Sequence, residues 1–60
     1  MDAEKIAQQA RALYSAHGDK AEAEAAQKAR EHEAAGNYEV ARDWQAIRAA
    51  IREIRGPHES

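Results

Sequence analysis

Four arginines near the C-terminus, Arg42, Arg48, Arg52 and Arg55, hold the most concentrated chemistry in this sequence. Arg48, Arg52 and Arg55 are spaced i, i+4 and i+7, which on an α-helix gathers three guanidiniums on one ridge, with Arg42 a further turn upstream. Such a ridge can contact an acidic protein surface or the phosphates of a nucleic acid. It can equally be a solvated flank whose stems cover apolar edges, with positive charge well placed near a helix C-terminus. Glu22, Glu24, Glu31 and Glu33 offer it mates within the chain or in a second copy. Asp43 and Arg48 are also spaced for a charge pair between two parallel helices.

The remaining reactive residue types do not assemble into a site. His17, His32 and His58 invite a metal, and His32 lies between Glu31 and Glu33. Neighbouring helical residues point about 100° apart, so those three cannot converge on one ion. The second histidine of the zinc-protease helix motif is also missing. Cysteine is absent, which excludes disulfides and thiolate ligands. The only serines are Ser15 and Ser60, threonine is absent, and the three glycines form no phosphate loop. No catalytic residue, cofactor, metal or small-molecule substrate is expected. The chain reads as a non-enzyme.

Sixty residues make one domain at most, and a chain this short buries only about 60% of its unfolded surface. Of the 43% apolar residues, sixteen are alanine. The large remainder is Met1, Ile6, Leu13, Tyr14, Tyr38, Val40, Trp44, Ile47, Ile51 and Ile54. A core of that size rarely supplies more than about 3–5 kcal/mol, so a second copy or a partner is the expected source of further stability. The net charge of −2 gives no general attraction to nucleic acid or anionic lipid. No apolar run approaches the roughly 20 residues of a membrane span, and the first residues lack a secretory leader, so a cytoplasmic location is expected.

Half of the large apolar residues lie on one stripe, whose helix must position the arginines. Val40, Trp44, Ile47, Ile51 and Ile54 step by four, three, four and three, one stripe of a helix over 37–55. Val40, Ile47 and Ile54 fall at heptad d, Trp44 and Ile51 at a. Upstream, Ala3, Ile6, Ala10, Leu13 and His17 predict a first helix over 2–16, with Asp2 as N-cap. His17-Gly18-Asp19 breaks it; Asp19 suits the N-cap of a second helix over 20–35, with Glu22 at capping-box spacing. That second helix has only alanines as non-polar residues, and Ala25, Ala29 and His32, flanked by Ala26, should face the isoleucine stripe. Gly36-Asn37 repeats the stop and restart, and Gly56-Pro57 ends the third helix. The expected fold is all-α: a single domain over 1–57 with three helices, the second and third an antiparallel hairpin and the first packed across it. Residues 58–60 should form a disordered tail.

The turn Gly36-Asn37-Tyr38-Glu39-Val40-Ala41 resembles the turn between the two helices of a tetratricopeptide repeat. The likeness ends with those six residues: Ala25, Lys28, Ala29 and His32 stand where that family has Trp, Leu, Gly and Tyr, so it implies a helical hairpin and no repeat-domain function. A DNA-reading helix-turn-helix would put His32 at its small position and Glu39, Arg42 and Gln45 at its apolar ones, which disfavours it. Across its length the chain also resembles short uncharacterised bacterial α-helical proteins with the pattern A…L…HGD…A…A…GN…A…W..I..AI, a resemblance that implies no activity.

These readings converge on a non-catalytic protein–protein interaction module, a small regulator or adaptor acting through its amphipathic third helix, self-association included. Its expected contact residues are Tyr38, Arg42, Trp44, Arg48, Ile51, Arg52 and Arg55. The alternative is a small nucleic-acid-associated regulator using the arginine ridge. Trp44 faces a helix of alanines and is first a core residue; Tyr38, at the start of the third helix, is the better exposed aromatic.

Overall fold

The structure is a computed structural model that describes residues 1–56. Three α-helices follow one another: α1, Ala3–His17; α2, Ala21–Ala34; and α3, Tyr38–Arg55. A 3-10 turn, Gly18–Lys20, joins α1 to α2, and there is no strand among the described residues. Pro57 and the expected tail, His58 included, lie outside those residues. Each helix falls within one or two residues of the span its periodicity predicts, and α2 and α3 pack against each other as an antiparallel hairpin.

Local chemistry explains two of the boundaries. Asp2 is the N-cap of α1: its backbone is extended, and its carboxylate accepts a hydrogen bond from the Lys5 N–H at 2.8 Å. At the end of α2, Gly36 turns with φ +83°, its N–H donating to Glu33 O at 3.1 Å, and the Asn37 N–H donates to His32 O at 2.8 Å. These are the two bonds of a Schellman motif, and they satisfy carbonyls that the helix leaves without partners.

The passage from α1 to α2 departs from expectation. Asp19 does not cap α2. It lies inside the 3-10 turn, the N-cap position belongs to Lys20, and no side chain caps the helix. The tighter turn makes its own i→i+3 bond, from the Ala21 N–H to Gly18 O, so the chain passes from α1 to α2 with less need of a cap. Glu22 is thereby released from the capping-box role and points elsewhere. Asn37 occupies the N-cap position of α3, yet its side chain also caps nothing; its amide nitrogen lies 3.5 Å from His32 Nδ1.

The core is small. Ala10 of α1, Ala21 and Ala25 of α2, and Ile47 and Ile51 of α3 form one buried cluster, with Ile6, Leu13, Tyr14, Trp44 and Ala50 packed against it. Ile47 and Ile51 are the largest side chains fully enclosed, each contributing about 1.5–3 kcal/mol by burial. Ala29 and Ala41 extend the α2–α3 contact, and His32 is half-buried. Alanines let the α2 backbone approach α3 closely, so isoleucine meets methyl groups, the arrangement anticipated from composition. α1 packs mainly on α3 and touches α2 little.

The apolar stripe of α3 is covered in its middle and open at its ends. Val40 is 40% exposed and Ile54 41%. Those two side chains lie beyond the buried cluster, which takes Ile47 and Ile51 from the same stripe.

Candidate functional site

The arginine ridge converges on one carboxylate. Glu22, in the first turn of α2, places Oε1 2.6 Å from Arg55 Nη1, which donates a hydrogen bond to it. Its Oε2 lies 3.3 Å from Arg52 Nε and 3.9 Å from Arg48 Nε. Three guanidiniums from successive turns of α3 thus share a single, largely buried acceptor. An acid in the first turn of α2 also suits the positive end of that helix. The glutamate belongs to the set of acidic mates expected for the ridge; the other three do not take up this role. Glu24 instead meets His17 Nδ1 at 2.7 Å, and Glu31 accepts from Gln27 Nε2 at 3.3 Å.

The convergence leaves one donor without an acceptor. Arg48 Nε is buried and makes no hydrogen bond, since the 3.9 Å approach of Glu22 is too long for one. Arg52 is the most open of the three, with 68% of its side chain exposed. Two shallow depressions flank the cluster: one lined by Glu22, Arg52, Arg55 and Gly56, the other by Asp19, Glu22, Ala23, Ala26, Arg48 and Arg55.

The other expected contact residues separate into surface and core. Tyr38 is 66% exposed and stands between two further depressions. Gly36, Asn37, Glu39 and Val40 line one with it; Glu33, Ala41, Arg42 and Gln45 line the other. Arg42 is exposed. Trp44 is half-buried against the core cluster, and Ile51 lies wholly inside it. The structure therefore corrects the placement of Ile51 at a contact surface: Ala10, Ala21, Ala25 and Ile47 share its cluster, and no part of it is open to a partner while the monomer is folded. The charge pair expected between Asp43 and Arg48 of neighbouring copies also finds its members engaged at home, Arg48 with Glu22 and Asp43 with the Met1 amino group at 3.4 Å.

Glu22 did not stand out from its acidic neighbours in the sequence, although a signal for it exists. Counting outward from an α2–α3 turn at 35–38 sets residue 22 opposite residues 51–55 in an antiparallel hairpin. Glu22 is the acid of α2 that this register brings to the C-terminal arginines.

Among the described residues, no group of three or more His, Asp or Glu side chains is placed to hold a metal ion, and no helix is long and apolar enough to cross a membrane. No family model, curated protein or solved structure matches the chain.

Proposed function

We propose that this chain is a non-catalytic protein-interaction module, a small adaptor or regulator, whose contact surface is the N-terminal end of α3. The observation that carries the reading is the exposure of Tyr38 and, two residues on, Val40, beside the open guanidinium of Arg42. An aromatic ring held on a helix start, with a concavity on each side, offers large contact area at small conformational cost. The central part of the amphipathic stripe is spent on the monomer's own core, so the partner meets the end of α3 and not its whole apolar face.

The test compares the proteins retained from the native cell by the wild-type chain, by Tyr38→Ala with Val40→Ser, and by Arg52→Glu. The reading expects a defined protein to be lost with the first variant and kept with the second. Equal retention by all three refutes it. Sedimentation at micromolar concentration identifies the case in which the partner is a second copy, since the same variant then converts a dimer to a monomer.

A nucleic-acid role for the arginine ridge ranks second. Glu22 already partners Arg48, Arg52 and Arg55, which lowers the charge available to a phosphate backbone.

A further inference from the structure

The cluster around Glu22 brings three guanidiniums together and holds, among the described residues, one buried donor without an acceptor, and both features bear on what it can bind. Three guanidiniums face one carboxylate. Arg55 is held by Glu22 at 2.6 Å. Arg52 is held more loosely: its contact is the 3.3 Å approach of Nε, and its side chain is mostly in solvent. Beside it, Arg48 Nε is enclosed and lacks a hydrogen bond while standing 3.9 Å from the oxygen that Arg52 occupies. An unsatisfied buried donor is costly, so the present position of Glu22 Oε2 is a compromise between two claimants.

We propose that this cluster is an exchangeable oxyanion site: a phosphate group enters the depression lined by Glu22, Arg52, Arg55 and Gly56 and takes over Arg52. Glu22 Oε2 then closes on Arg48 Nε, a movement of about 1 Å to ordinary hydrogen-bond distance. The exchange gives Arg52 a ligand whose oxygens fit the guanidinium fork and gives the buried nitrogen its missing acceptor. No bond is made or broken covalently. The ligand class is a phosphate dianion, free or as a monoester, and the affinity is weak and salt-sensitive because the site is open to water.

Arginine Nε–H resonances followed by NMR at constant ionic strength test the exchange. Inorganic phosphate, phenyl phosphate as a monoester, and chloride serve as probes. The expected result is a saturable shift of Arg52 and Arg48 with both phosphates, no comparable shift with chloride, and no matching movement of Arg42. Tighter binding of phenyl phosphate identifies an esterified ligand; equal binding identifies the free anion. Glu22→Gln removes the competing charge and strengthens binding about fivefold, whereas Arg52→Gln weakens it by about fivefold or more. Arg52 is exposed enough that its variant keeps the fold, which helicity checks. If Glu22→Gln does not fold, the wild-type shift of Arg48 and its loss in Arg52→Gln decide alone. Parallel movement of Arg42, equal shifts with chloride, or an Arg48 resonance that never moves overturns the proposal.

Discussion

Glu22 Oε1 accepts a hydrogen bond from Arg55 Nη1 at 2.6 Å, joining the first turn of α2 to the last residue of α3 across 33 positions of sequence. The turn at Gly36 closes the hairpin at one end, and this contact closes it at the other. Between them lie Ala25, Ala29, Ala41, Ile47 and Ile51, the buried seam. A hairpin whose inner face is mostly methyl groups gains little from each residue, so an ionic clasp at its open end matters more here than in a larger protein.

Glu22→Gln keeps the size and some hydrogen bonding of the side chain and removes its charge. The arginine partners are well exposed, so solvent screens each contact and the whole cluster contributes about 1 kcal/mol at low ionic strength. Urea unfolding should show that loss at low salt and a much smaller one near 1 M salt, where the screening length is about 3 Å. A loss that does not change with salt would place the effect in packing instead.

Ile51 and Ile54 are one helical turn apart and identical in chemistry, yet one is enclosed and the other 41% exposed. Ile51→Ala should cost about 2–5 kcal/mol, enough to unfold much of a chain with so small a core. Ile54→Ala should cost less than about 1 kcal/mol. Circular dichroism of the two variants side by side separates them; similar losses of helicity in both would contradict the packing described.

The contrast marks what was legible from sequence. Helix number, the hairpin and the alanine face of α2 follow from periodicity, because 3.6-residue spacing fixes which side chains share a face. Periodicity does not tell how far along that face the neighbours reach. Val40 and Ile54 satisfy the same spacing as Ile47 and Ile51 and differ only in lying near the ends of the longest helix. Asp19 failed as a cap for a comparable reason: an N-cap residue type is visible in sequence, whereas the choice of a 3-10 connection depends on how α1 and α2 meet. The arginine ridge was visible as a ridge, and the carboxylate it meets became evident only once hairpin register set Glu22 opposite it.

Gly18 and Gly36 both have positive φ, at 60° and 83°, and a Cβ added at either meets nothing within 4 Å. Any cost of Gly→Ala is therefore backbone strain without a steric clash. Gly36→Ala should cost about 1 kcal/mol, and Gly36→Asn less, since asparagine tolerates the left-handed region. Gly18 combines φ 60° with ψ −132°, far from the left-handed helical well, so Gly18→Ala and Gly18→Asn should both cost more than their Gly36 counterparts. Thermal unfolding of the four variants gives the order; a Gly18→Asn protein as stable as Gly36→Asn would contradict it.

Asp2 tests whether α1 is a full member of the fold. Its carboxylate accepts from the Lys5 N–H at 2.8 Å and its carbonyl from the Ile6 N–H at 3.0 Å, so Asp2→Ala removes the first bond and leaves the second. The expected loss is about 0.5–2 kcal/mol. α1 supplies Ala10 to the buried cluster and Ile6, Leu13 and Tyr14 to its edge, and without them Ile47 and Ile51 would face water. Fraying of α1 must therefore weaken the hairpin as well. Hydrogen exchange in Asp2→Ala should quicken at the amides of α1 and, by a similar factor, at Ile47 and Ile51. Faster exchange confined to α1 would show instead that the hairpin holds together without it.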